Sequence, residues 1–145
     1  MAHSDAAKGR AEFLATVPLF AKCDASELRA IVGAGRDVTH SAGQVICREG
    51  EAGGGMHVVT AGEVEVRVKG SQSQSRLGPG SFFGEIALLD GGPRSATVTA
   101  STDVTTFSIP SWSFRPILES QPHLTLKLLE VLCGRLRQNE SSPTH

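Results

Sequence analysis

Residues 76–100, RLGPGSFFGEIALLDGGPRSATVTA, constrain this chain more than any other stretch. A turn at Gly78-Pro79-Gly80 leads into an aromatic pair, Phe82-Phe83. Gly84-Glu85 then opens a short apolar run over residues 86–89. A second turn, Asp90-Gly91-Gly92-Pro93, delivers Arg94-Ser95 into an alternating segment that ends at Ala100. The pattern is a glycine that frees the backbone, one helical turn, and then a cation. The first turn of a helix has unpaired N–H groups at its positive end, which suits an anion. Arg94, nine residues after Glu85, adds a planar fork of donors that matches a phosphate. Glu85 adds an acceptor that an anion does not need and a sugar hydroxyl does. The set asks for a ligand with both a phosphate and a ribose.

FFGEIALLDGGPRSATV also resembles the phosphate-binding cassette of the cyclic nucleotide-binding domain family, the family of the catabolite activator protein and the protein kinase A regulatory subunit. That signature is F-G-E-hydrophobic-[Ala/Gly]-L, a short spacer, then R-[Ser/Thr/Ala]-A. Here it is matched at Phe83, Gly84, Glu85, Ile86, Ala87, Leu88, Arg94, Ser95 and Ala96. The resemblance implies that Arg94 and the N–H groups of residues 84–87 hold a cyclic phosphate and that Glu85 accepts from the ribose 2′-hydroxyl. Gly84 and Ala87 would serve by being small. Two readings of Ser95 stand: a polar residue at a strand start, or a hydroxyl and N–H that reach the phosphate or the purine edge. Serine at this position leans toward cAMP over cGMP, since threonine is the residue that favours guanine in the family. Ile46 and Val66 fit either as walls for the base or as plain core. Arg135 or Arg137 fits either as a lid over the base, by cation–π stacking, or as part of a solvated helix face.

The rest of the chain agrees with one domain of mixed α+β, mainly β character. A length of 145 residues suits a single domain. The near-balance of 14 basic and 15 acidic residues argues against binding nucleic acid through the overall field. No apolar run approaches the ~18 residues of a membrane span, and the N-terminus lacks the apolar centre of a signal peptide. Cys23, Cys47 and Cys133 are widely spaced and odd in number, which fits buried thiols in a reducing compartment and a cytoplasmic location.

Residues 1–10 are small and polar and read as a flexible lead-in. Phe13, Leu14 and Val17 predict a helix over residues 11–19, and Asp24 with Glu27 three residues later predicts a capping box. The helix it opens carries Leu28, Ile31 and Val32 on one face and is expected to stop at Gly33 and Gly35. From residue 36 to 110 the texture is short runs of alternating apolar residues cut by glycines, the pattern of a β-sandwich or jelly roll. The family resemblance, which spans residues 13–138, implies an eight-stranded antiparallel β-roll flanked by an N-terminal helical bundle and C-terminal helices. Gly43, Glu49-Gly50 and Gly62 match family positions. Gly53-Gly54-Gly55, Cys47 and His57 depart from the family pattern, with expected effects on core packing and loop order more than on the ligand site.

After Pro110 the chain reads as helical over residues 111–139. Ser111 or Ser113 is expected to cap a helix with Pro116 in its first turn, and Pro122 to open a second. That second helix carries Leu128, Leu129, Leu132 and Leu136 on an apolar stripe. Residues 140–145 read as a polar tail.

His3, His40, His57, His123 and His145 never fall within ten residues of one another, unlike the clustered imidazoles of a cupin, so no metal is expected. Neither G-x-x-x-x-G-K-[ST] nor G-x-S-x-G occurs, so no nucleotide-hydrolysing machinery is expected. The expectation is a non-catalytic sensor for a 3′,5′-cyclic purine nucleotide, cAMP preferred, whose C-terminal helices rearrange on binding. It is expected to act alone or as part of a larger regulator. The alternative is an interaction module that dimerises, or docks an effector domain, through the Leu129–Leu132–Leu136 stripe.

Overall fold

The computed structural model describes residues 2–72 and 74–140. Helix α1 (Ala2–Ala15) leads into a 3₁₀ turn at Pro18–Phe20 and then α2 (Ala25–Ala34). The strands are β1 (Arg36–His40), β2 (Val45–Cys47), β3 (Gly55–Ala61), β4 (Val64–Arg67), β5 (Gln74–Leu77), β6 (Phe82–Phe83), β7 (Thr97–Ala100) and β8 (Val104–Pro110). A short helix, α3 (Glu85–Asp90), separates β6 from β7, and α4 (Ser111–Ser120) and α5 (Pro122–Glu140) follow β8. The strands form two antiparallel four-stranded sheets, in the orders β1-β8-β3-β6 and β2-β7-β4-β5. This is the expected β-roll with helices at both ends.

The local chemistry explains most boundaries. Asp24 accepts from the Glu27 N–H at 2.8 Å while Glu27 accepts from the Asp24 N–H at 2.9 Å, so the expected capping box forms. Buried Glu27 also receives the Lys127 ammonium at 2.7 Å, which ties α2 to α5. Pro18 holds Val17 in extended backbone and ends the expected 11–19 helix at Ala15. The helix also starts earlier than expected: it begins at Ala2, so most of the supposed lead-in is helical. Gly33 does not stop α2; the helix passes through it and ends at Gly35. A Cβ at Gly35 would fall 2.7 Å from the Phe107 ring and from the Ser108 carbonyl, so β8 packs where only a glycine fits.

Two further expectations are corrected. Pro110, not Ser111 or Ser113, is the N-cap of α4, and Ser113 instead donates to the carbonyls of Ala34 and Pro110. Pro116 therefore lies inside α4, past its first turn. The tail at residues 141–145 lies outside the described residues. Residues 74–77 and the aromatic pair Phe82-Phe83 form strands β5 and β6.

The apolar residues fall into two cores. The larger joins α1, α2, α4 and α5 to the outer face of the first sheet, with Leu14, Phe20, Ile31, Phe114 and Leu124 fully or almost fully buried. The smaller fills the roll interior with Cys47, Val59, Val64, Phe83, Val98, Ala100 and Val104. Alternation along a strand sends successive side chains to opposite faces, so two-residue β6 puts Phe82 in the first core and Phe83 in the second.

Candidate functional site

A cavity of about 290 Å³ opens where the roll interior meets α3 and α5. Its cassette side is made by Gly84, Glu85, Ile86, Arg94, Ser95 and Ala96, and Arg135 of α5 reaches in from above. The second sheet supplies the opposite wall with Val66, Val68, Ser75, Leu77 and Val98, joined by Cys47, Phe82 and Phe83.

Arg94 is held on two sides. Its N–H donates to the Glu51 carbonyl and its carbonyl accepts from the Gly50 N–H, both at 2.9 Å. Its Nη1 donates to the Gly55 carbonyl and, at 3.5 Å, to that of Gly84. Both side-chain bonds use one nitrogen of a five-donor fork, so the group is oriented while most of its donors stay uncommitted among the described residues. Gly84 sits at φ +87°, which favours glycine, and a Cβ there would come 2.5 Å from Arg94 Nη1 and 2.8 Å from the Gly55 carbonyl. A Cβ on Gly53 would overlap the Arg94 side chain. The Gly53-Gly54-Gly55 loop, read from sequence as a packing detail, is thus the bed in which the arginine lies.

Gly84 is also the N-cap of α3, so the N–H groups of the first turn, from Glu85 to Ala87, have no acceptor within the helix. The Glu85 side chain is 12% exposed and pairs with Arg135 at 3.5 Å, and the Arg135 guanidinium lies 4.7 Å above the Phe82 ring. Of the two lid arginines weighed from sequence, Arg135 lines the cavity, whereas Arg137 is exposed and lines no part of it.

Beneath the cassette, His57 stacks on Phe83 with centroids 5.0 Å apart. His57 Nδ1 and His40 Nε2 share the Thr106 hydroxyl at 3.2 and 3.3 Å. Burial, then the Arg94 charge, then His40 push the His57 imidazole down from 6.5 to about 4. Burial raises the Cys47 thiol, and the Arg94 charge partly opposes this. Among the described residues no group of three or more His, Cys, Asp and Glu side chains could hold a metal ion. No helix among them is long and apolar enough to cross a membrane.

The structure brings Phe83, Gly84, Glu85, Ile86, Arg94, Ser95, Ala96, Val66 and Arg135 together around one cavity. It does not bring Ile46, Ala87 or Leu88 there. Ile46 packs against the smaller core, Leu88 is buried in the larger one, and the Ala87 side chain is 3% exposed beneath α3. Their side chains are core, and Ala87 remains available only through its backbone. Sequence reasoning missed Ser75, Leu77 and Val68 as cavity residues: the polar run of β5 carries no alternation that marks it as a strand, and Val68 lies just past the end of β4.

The comparisons agree with this geometry. The model of the cyclic nucleotide-binding domain matches residues 37–121, more than half of the chain. A cyclic nucleotide-gated potassium channel of Mesorhizobium japonicum is 45% identical over 113 residues, 78% of this chain and 31% of the channel. A CRP-like cAMP-activated global transcriptional regulator of Mycobacterium tuberculosis is 27% identical over 135 residues, 90% of this chain and 60% of the regulator. The chain therefore spans about a third to three-fifths of these relatives. The regulatory domain of Toxoplasma gondii PKA, crystallised with cAMP, superposes with a TM-score of 0.77 over 94% of this chain and 52% of that one. At 23% identity it bears on the fold alone. On the matched cassette, the roll and the family model together, this chain belongs to the cyclic nucleotide-binding domain family.

Proposed function

We propose that the chain is a non-catalytic sensor of a 3′,5′-cyclic purine nucleotide, cAMP in preference to cGMP, acting in the cytoplasm alone or as part of a larger regulator. The observation that carries the reading is Arg94, oriented by the Gly55 carbonyl toward a cavity that also receives Glu85. Arg94 and the first-turn N–H groups of α3 take the cyclic phosphate, with the Ser95 hydroxyl beside them. Glu85 takes the ribose 2′-hydroxyl, and Val66, Val68, Leu77 and Ile86 cover the base. The sensing unit spans residues 11–139.

The Arg135–Glu85 pair gives the mechanism a starting point. A ribose that claims Glu85 must loosen or share that pair, and Arg135 is then free to close over the base from its place above Phe82. Movement of α5 follows only to the extent that nucleotide binds one position of the helix better than the other. The family relatives, a gated channel and a transcriptional regulator by their names, support a regulatory reading over an enzymatic one.

Titration calorimetry with cAMP, cGMP and 5′-AMP tests the proposal, after extraction and identification of any co-purified small molecule. Binding of a cyclic nucleotide at micromolar or lower concentration, with 5′-AMP weak, is the expected result. A folded, ligand-free protein that gives no heat with any of the three rejects it.

The interaction reading keeps one specific observation, though with altered residues. Leu132 packs against the larger core, so the exposed stripe of α5 is Leu126, Leu129, Cys133 and Leu136, at steps of three and four. We propose that this face pairs with a second copy or an effector segment. A sedimentation series that stays monomeric to high concentration would exclude the homodimer.

A further inference from the structure

A histidine lies against the aromatic residue that precedes the cassette. His57 on β3 is the register partner of Phe83 on β6, and their rings stack with centroids 5.0 Å apart. One step along the same strand pair stands the cation of the site. Arg94 Nη1 donates to the carbonyl of Gly55, two residues before His57, and to that of Gly84, one residue after Phe83. Two residues of strand span about 7 Å, so a fixed positive charge faces the imidazole at short range. Salt screens charges in such an interior far less than at the surface.

Behind His57 the polar chain continues into the roll. His57 Nδ1 and His40 Nε2 meet the buried Thr106 hydroxyl at 3.2 and 3.3 Å, and the buried His40 Nδ1 has no hydrogen-bond partner. One hydroxyl carries one hydrogen, so Thr106 donates to one ring and accepts from the other. With both rings neutral, the inventory assigns a Thr106 hydrogen to His57 Nδ1 and a His40 Nε2–H to the hydroxyl, which leaves only a lone pair at His40 Nδ1. A proton on His57 makes its Nδ1 a donor and reverses the chain. The His40 hydrogen then sits on Nδ1, a buried N–H without an acceptor, which is unfavourable. Charge on His57 is thus opposed at both ends, by Arg94 and by this N–H, and the ring is held down at about 4. The neighbouring groups do not relieve it. The Cys47 thiol of β2 is pushed up by burial and stays neutral, and Glu85 and Arg135, the other charged side chains of the cavity, pair with each other.

We propose that His57, with Thr106 and His40 behind it, is a proton-binding site linked to the nucleotide: an anion on Arg94 cancels the field that keeps the proton away, so nucleotide binding draws a proton into the roll. This rests on the cyclic-nucleotide reading of the same cavity. Linkage makes the effect reciprocal, since a ligand that favours the protonated ring is itself favoured by it. Affinity therefore rises as the pH falls toward the range in which His57 titrates. A cyclic phosphodiester stays anionic throughout that range, so the dependence belongs to the protein and not to the phosphate.

The test follows the imidazole nitrogens of His57 by NMR through a pH titration of wild type without ligand, wild type saturated with cAMP, and ligand-free Arg94→Gln. Nucleotide should move the His57 midpoint up by about one pH unit, and Arg94→Gln should move it the same way with no ligand present. Calorimetry should find cAMP bound about twofold more tightly at pH 5 than at pH 7 by wild type. His57→Phe, which keeps a ring on Phe83 and removes the proton site, should bind with the same affinity at both, and this arm also subtracts any titration of the base. A His57 midpoint that ignores the nucleotide, or that ignores the loss of the Arg94 charge, overturns the proposal. So does a pH dependence that survives in His57→Phe. If wild type binds no cyclic nucleotide, the functional reading fails in that arm alone, and Arg94→Gln still decides whether Arg94 governs the proton site.

Discussion

The two cores of this molecule are filled differently. The core between the helices and the first sheet is built from large side chains, with Phe20, Phe114, Leu14 and Ile31 at 0–1% exposure. The core inside the roll is built from valines, an alanine and a thiol around one phenylalanine, and it leaves a cavity of about 290 Å³ open to α3 and α5. Interiors close-pack wherever nothing else is needed, whereas ligand sites are concave, largely apolar and lined by a few placed polar groups. The division of labour follows. Stability rests mainly on the first core, and the second holds space. Phe82 and Phe83 sit on the boundary, one in each core, immediately before the cassette.

The comparison breaks most readily at Phe114. Phe114→Ala should cost about 3–5 kcal/mol of unfolding free energy in urea denaturation. The cavity-lining Val66→Ala should cost about 1 kcal/mol, since it removes methyl groups that already face open space. Equal losses at the two sites would erase the distinction between the cores.

Acid attacks the second core through His57. The imidazole titrates at about 4 in the fold and near 6.5 when unfolded, so between those values the unfolded chain binds more protons. Its contribution to stability is complete above about pH 6.5 and drains away as pH falls toward 4, on the order of 3 kcal/mol in all. His40, also lowered by burial, acts with the same sign. Urea midpoints measured across pH 4–7 should show this slope, and His57→Phe should flatten it. A midpoint independent of pH over that range would contradict the placement of His57. A phosphate facing Arg94 would offset the positive field at His57, so saturating ligand should make the slope shallower.

Gly84 gives a smaller effect on stability and a larger one on binding. Gly84→Ala forces a side chain into φ +87° and against Arg94, costing about 1–2 kcal/mol from the backbone alone. Its displacement of the guanidinium should weaken nucleotide binding by at least about tenfold, as measured by calorimetry on the folded variant. The smallest change is expected at Arg135. Its pair with Glu85 is half exposed on the arginine side, so Arg135→Ala should move the unfolding free energy by less than about 1 kcal/mol while altering nucleotide affinity.

How much of this was legible in the sequence differs between the two regions as well. The capping box at Asp24 and Glu27, the alternating runs between residues 36 and 110 and the cassette from Phe83 to Ala96 could be read because each has a local signal: a spaced pair of cap residues, a period of two, a glycine beside a turn. Strand β5 was not legible, since Gln74, Ser75 and Arg76 carry no alternation that separates a polar edge strand from a turn. The extent of α1 was hidden by a composition of small and polar residues. Ile46, open between base wall and plain core in the sequence, and Ala87 and Leu88, matched by the motif, are a different case. They satisfy a motif or an apolar pattern, yet whether a side chain faces a cavity or a core depends on the bulge in β2 and on the rotation of α3, neither of which leaves a mark in sequence. The role of Gly53 beside Arg94 is a contact between residues 41 positions apart, which no local pattern records.

The central claim, that Arg94 anchors a cyclic phosphate without being needed for the fold, is tested most directly by titrating wild type and Arg94→Ala with cAMP side by side and recording the urea midpoint of each. The account predicts binding by wild type and at least a hundredfold loss in the variant, on the order of 3 kcal/mol for a charge-assisted phosphate contact, with an unfolding free energy within about 1 kcal/mol of wild type. A folded Arg94→Ala protein that binds cAMP as tightly as wild type would contradict it.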